Sequence, residues 1–130
     1  MKISTRGRYA LIIMINLALA NTVMSLKDVA DKENLPIKYL EKIMALLVKA
    51  NLVKSIRGKD GGYQLIKNPK DYSVGEILRA SEGNLESRAC DTDTCDKHDT
   101  CPTIKFFDGL YKEINEYVDN KKLSDLIKEV

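Results

Sequence analysis

Cys90, Cys95 and Cys101 are the only cysteines among 130 residues, and they share one short polar stretch. Four residues separate the first pair and five the second. Soft thiolates converging from a loop are what an iron–sulfur cluster requires, and short spacings supply them. The leading expectation is therefore that Cys90, Cys95 and Cys101 are metal ligands of a 2Fe–2S or 4Fe–4S cluster, the type left open. His98, the one histidine of the chain, lies between the last two cysteines and is a candidate fourth donor. Nitrogen ligation there suits a cluster or zinc. Glu82, Glu86, Asp91, Asp93, Asp96 and Asp99 are further candidates, as are a residue of a partner subunit and an external thiol. Two other uses of the thiols stay open. With His98 they can hold structural zinc tetrahedrally, although the paired spacing of zinc ribbons is absent. Two of them can also form a disulfide on oxidation, although the surrounding aspartates disfavour the thiolate that reaction needs.

A second set of residues suits nucleic acid. Arg57-Gly58-Lys59-Asp60-Gly61-Gly62-Tyr63 is a glycine-rich turn between two short apolar runs. Arg57 and Lys59 stand at its tip, where glycines let the backbone approach closely, and a guanidinium there suits a narrow, electronegative minor groove. Upstream, Lys38, Tyr39, Glu41 and Lys42 are expected to face outward from a helix whose Ile37, Leu40 and Ile43 face a core. Lys38 and Lys42 can meet phosphate or guanine edges. Glu41 can accept from a cytosine amino group and repels phosphate at a wrong sequence. A solvated lysine face, or a protein-binding module that regulates an enzyme by contact, is the plainer alternative.

The elements that position these residues are legible. A helix is expected from about Thr5 to Ala20, and a second after Ser25, where Asp28 completes the spacing of a capping box. Asn34-Leu35-Pro36 makes a turn into a third helix, which Asn51 ends in a left-handed conformation. Strands 52–56 and 63–66 then flank the glycine turn as a hairpin. Ser73-Val74-Gly75-Glu76 opens a capped helix that ends near Gly83. The polar stretch with the cysteines follows. Pro102 starts a long helix in which Ile104, Phe107, Tyr111, Ile114 and Val118 are spaced three or four apart, as for packing against an identical helix in a two-fold dimer. A short helix is expected from Ser124. The expected class is mainly α with a small β-hairpin: a winged helix-turn-helix head at 1–83, a cysteine ligand loop at 84–101, and a dimerisation helix and tail at 102–130.

Composition agrees with a phosphate-binding head. Residues 1–80 hold 14 of the 21 lysines and arginines but 7 of the 19 acidic residues, so they carry +7 and residues 81–130 carry −5. The longest apolar run, 10–20, is broken by Asn16 and is too short to span a bilayer. A cytoplasmic location, where thiols stay reduced, is expected. No P-loop and no second histidine for a base–nucleophile pair occur, so an enzyme is not expected. An electron-transfer protein would not need the basic head.

The residues also carry a resemblance. Met1 through Tyr9, Tyr39-Leu40-Glu41, Ser55-Ile56-Arg57-Gly58 with Gly61-Gly62-Tyr63, and Val74-Gly75-Glu76-Ile77 closely resemble the Rrf2 family of bacterial winged-helix regulators. The likeness covers nearly the whole chain. It implies a homodimeric repressor or activator on a palindromic double-stranded operator. It also implies that Arg57 enters the minor groove and that the helix with Lys38, Tyr39, Glu41 and Lys42 reads bases. Cluster-bearing members carry three cysteines at similar positions, usually five residues apart; here the first gap is one residue shorter. One branch has a histidine three residues after its third cysteine, where this chain has Ile104. Another has an aspartate in the first helix, where this chain has Arg8. Neither Ile104 nor Arg8 can ligate.

Overall fold

The computed structural model describes residues 3–83 and 101–130. Three helices come first: α1 (Thr5–Ala20), α2 (Leu26–Glu33) and α3 (Ile37–Lys49). Their ends follow from local chemistry. Ser4 accepts from the Arg6 amide, and Ser25 from the Asp28 amide. At the far ends Asn21, Asn34 and Asn51 all take positive φ, which a short amide side chain tolerates better than most. Asn51 does what its position after α3 predicts, one residue beyond the cap at Ala50.

The hairpin pairs β1 (Val53–Ile56) with β2 (Gly62–Leu65), Val53 opposite Leu65 and Ile56 opposite Gly62. A short 3-10 turn (Pro69–Asp71), which periodicity does not reveal, leads to α4 (Val74–Glu82). α4 carries the expected capping box: Ser73 Oγ accepts from the Glu76 amide, and the Glu76 carboxylate accepts from the Ser73 amide. After the cysteine-bearing segment come α5 (Ile104–Asn120) and α6 (Leu123–Lys128). α5 begins two residues after Pro102. α6 begins one residue earlier than expected because the Lys122 amide donates to Asp125 Oδ2 and closes its first turn.

α1 is apolar almost all round, so its period alone does not say which face is inside. Ala10, Ile13, Met14 and Leu17 are buried against Leu40, Ile43, Met44 and Leu47 of α3, Val29 of α2, Ile77 of α4 and Leu123 of α6. Leu19, on another face, is 42% exposed. Asn16 is buried too, and its amide donates to Ile12 O (2.8 Å) and to Glu33 Oε1 (2.9 Å), tying α1 to the end of α2. One expectation fails here. Ile37, expected in the core, is exposed, because the first residue of α3 projects beyond the packed turns that begin at Leu40.

The long helix also differs from its reading. Tyr111 and Val118 are buried within their own chain, Val118 with Val74 and Leu78 of α4. Arg79 of α4 donates to Asp119 Oδ1 at 2.5 Å and to Asn115 Oδ1 at 2.6 Å. Gly75 permits this approach: a Cβ there would lie 2.2 Å from Asp119 Oδ1. The exposed large apolar residues of α5 are Phe106, Leu110 and Tyr117, about a quarter turn away from the predicted stripe, together with Phe107 of that stripe. Among the described residues no helix is long and apolar enough to cross a membrane.

Candidate nucleic-acid interface

Lys38, Tyr39, Glu41 and Lys42 are all exposed on α3, as their positions predict. Pro36 leaves the first turn of this helix without a side-chain cap. Tyr39 is held from one side. Its ring meets the ring of Tyr9 on α1 edge-to-face, centroids 5.3 Å apart. That geometry aligns the positive edge of one ring with the negative face of the other.

Arg57 and Lys59 are exposed at the hairpin tip. Two glycines are required there, one by its φ and one by a close backbone contact. Gly58 has φ 119, a conformation that strains any side chain. A Cβ on Gly61 would lie 2.2 Å from Ile56 O. The hairpin does not hang free. Met24, just before α2, exchanges two backbone hydrogen bonds with Tyr63 (3.0 and 2.9 Å), and a Cβ on Gly62 would collide with Met24 O.

Tyr72 is the residue that sequence reasoning missed. It is fully buried, and its hydroxyl donates to Leu52 O (2.6 Å) while accepting from the amides of Ile66 (2.9 Å) and Lys67 (3.0 Å). One phenol thus clamps both strands of the hairpin at their root. Its backbone carbonyl also accepts from the Leu123 amide, so α6 braces the same point. The Lys67 ammonium sits over the Tyr72 ring at 4.8 Å and pairs with Glu76 at 3.2 Å. A lone tyrosine between a turn and a cap gives no periodic signal.

Of the cysteine group, Cys90, Cys95 and His98 lie outside the described residues, as do Glu86 and the loop aspartates. Cys101 is half-buried just before α5, its sulfur 3.1 Å from Thr103 Oγ1. Glu82, a candidate fourth ligand, is already engaged: its Oε1 accepts from the Gly7 amide at 2.8 Å and from Ser4 Oγ. Ile104 offers no donor, and Arg8 is exposed. Among the described residues no three His, Cys, Asp or Glu side chains are grouped to hold a metal.

Against known sequences, the profile of the Rrf2 family, described as iron-dependent transcriptional regulators, matches residues 3–129. This chain belongs to the Rrf2 family of transcriptional regulators. Its winged helix-turn-helix head is the architecture of that family's solved members. The chain is 36% identical to CymR, described as the global cysteine regulator of B. subtilis, over 100% of this chain and 98% of that one, with a TM-score of 0.81. It is 37% identical to T. potens IscR, over 99% and 88% of the two chains, again with a TM-score of 0.81. By sequence it is 31% identical to the transcriptional regulator IscR of Pectobacterium atrosepticum, over 98% of this chain and 79% of that protein. CymR and the P. atrosepticum protein are both named as regulators.

Proposed function

We infer that this Rrf2-family regulator binds a palindromic DNA duplex as a homodimer, and that Cys90, Cys95 and Cys101 hold an iron–sulfur cluster that sets its affinity. The observation that carries the DNA half is the arrangement of α3 and the hairpin. Lys38, Tyr39, Glu41 and Lys42 are exposed on one helix, and Arg57 and Lys59 are exposed on a tip braced against the same head. α3 reads the major groove, Glu41 selecting among bases while Lys38 and Lys42 contact phosphate or guanine. Ile37, outward beside them, is suited to a thymine methyl. Arg57 enters the adjoining minor groove. Phe106, Leu110 and Tyr117 form the seam with a second copy, which sets the two heads about one DNA turn apart, roughly 34–36 Å.

The thiols supply three soft donors of the kind that iron–sulfur clusters take, and the description of the Rrf2 family as iron-dependent favours this use over zinc. Cys101, at the start of α5, joins that donor set to the dimer helix. When bound, such a cluster would supply a group whose gain, loss or change of charge acts on the segment between head and α5. The fourth donor is then His98, a loop carboxylate, a partner-chain residue or an external thiol, since Glu82 is engaged.

Two measurements test this reading. Affinity for a duplex selected from a random pool should fall steeply with salt, since phosphate neutralisation releases counterions; a flat dependence removes DNA as the ligand. Anaerobically purified protein should be brown and contain iron and sulfide. Colourless protein holding zinc after iron reconstitution promotes the structural-metal reading instead.

A further inference from the structure

Glu82 is the last residue of α4, and its carboxylate is bonded into the first turn of α1. Oε1 accepts from the Gly7 amide and from Ser4 Oγ, while Ser4 Oγ itself accepts from the Arg6 amide. Two of the four amides that a helix start leaves unpaired are thereby satisfied, and a carboxylate sits at the positive end of the helix. The fit is close. A Cβ on Gly7 would lie 2.7 Å from Glu82 Oε1 and 3.0 Å from Glu82 Cγ, so residue 7 must be glycine for α4 to reach α1 this way. Two residues beyond Gly7, Tyr9 leaves the same turn of α1 and presses edge-on against Tyr39 of the DNA-reading helix.

The geometry points to Glu82 as a positioning residue for DNA recognition, acting through the amino end of α1 and Tyr9 to fix the Tyr39 ring on the reading face. This rests on the assignment of α3 as the reading helix. The chain of contacts is continuous: Glu82 to Ser4 and Gly7, two residues along α1 to Tyr9, and ring to ring to Tyr39. Without the carboxylate the first turn of α1 loses its anchor, Tyr9 is no longer fixed, and Tyr39 samples orientations that do not meet a base or phosphate. Non-specific attraction of the lysines to phosphate does not depend on that ring.

The test uses the full chain, a duplex selected by the wild-type chain from random-sequence DNA, and a scrambled duplex of the same composition. Glu82→Ala should weaken binding to the selected duplex roughly tenfold, the size expected when hydrogen bonds to a charged acceptor are lost. Binding to the scrambled duplex should stay within about twofold. Glu82→Gln keeps an oxygen for the Gly7 amide and should restore most of the discrimination. Equal weakening on both duplexes, or no rescue by glutamine, overturns the proposal in favour of a purely structural role. A double-mutant cycle with Tyr39→Ala closes the test. If Tyr39→Ala itself reduces discrimination, adding Glu82→Ala should reduce it no further, and additive losses refute the coupling. If Tyr39→Ala changes nothing, the ring is not on the DNA face, and the α3 assignment falls together with the proposal.

Discussion

Arg57 is exposed beside Gly58, whose φ of 119 turns the chain so that the guanidinium leads the hairpin tip. Nothing in the core depends on it. Arg57→Ala should therefore lower affinity for a specific duplex about tenfold or more, as for a lost groove contact, without moving the unfolding midpoint. Fluorescence anisotropy at moderate salt measures this, and unchanged affinity removes Arg57 from the interface. Glu41 acts in another way, because a carboxylate repels phosphate and selects among bases. Glu41→Ala should broaden the set of duplexes recovered from a random pool more than it changes overall affinity. A uniform change on every sequence would contradict a base-reading role.

At the scale of elements, the hairpin is held as a unit by the Tyr72 hydroxyl and by the bridge from Met24 to Tyr63. Tyr72→Phe keeps the ring but leaves Leu52 O and two amides unpaired at the root of the wing. The expected cost is about 1–3 kcal/mol by denaturant unfolding, since buried groups lose partners without gaining water. A loss of less than a few tenths would mean that water takes over the hydroxyl's place. α5 presents two apolar faces with different fates. Tyr111 and Val118 are already buried in their own chain, whereas Phe106 and Tyr117 are 66% and 67% exposed. Changing Phe106 and Tyr117 together to Lys should convert a dimer to monomer in light scattering while leaving helicity intact. Tyr111→Ala should instead destabilise each chain by about 3–5 kcal/mol, as for other large core truncations. An unaltered dimer after the first change would place the seam elsewhere.

For the whole molecule, the excess of basic residues in 1–80 and of acidic residues in 81–130 separates a head that attracts phosphate from a part that does not. The cysteine-bearing segment lies at the start of the acidic part and connects α4 to α5. If all three thiols ligate one cluster, replacing Cys90, Cys95 or Cys101 singly by Ala should each abolish the visible chromophore and shift DNA affinity in the same direction. Retained colour in one variant would exclude that cysteine as a ligand. Lost colour with unchanged affinity would confirm that cysteine as a ligand but refute control of DNA binding by the cluster. His98→Ala bleaches the protein only if His98 is the fourth donor.

Helix starts at Ser25 and Ser73, the left-handed Asn51, the glycine turn and the outward Lys38, Glu41 and Lys42 could all be read from the chain, because each is set within a few residues of itself. The family resemblance is also a property of the sequence alone. What the tertiary structure decided is which of several apolar faces finds a partner. α1 offers apolar residues nearly all round, and only the positions of α3, α4 and α6 choose Ala10, Ile13, Met14 and Leu17. α5 carries two stripes, and the arrival of α4 through Gly75 and Arg79 buries Val118 and leaves Phe106 and Tyr117 outside. Ile37 satisfies the period of its helix but lies past the end of the core. Tyr72 and Glu82 bond to residues 20 and 75 positions away, a distance at which periodicity carries no information. Local chemistry fixes where elements begin and end; side chains that meet across the fold are fixed only once those elements have packed.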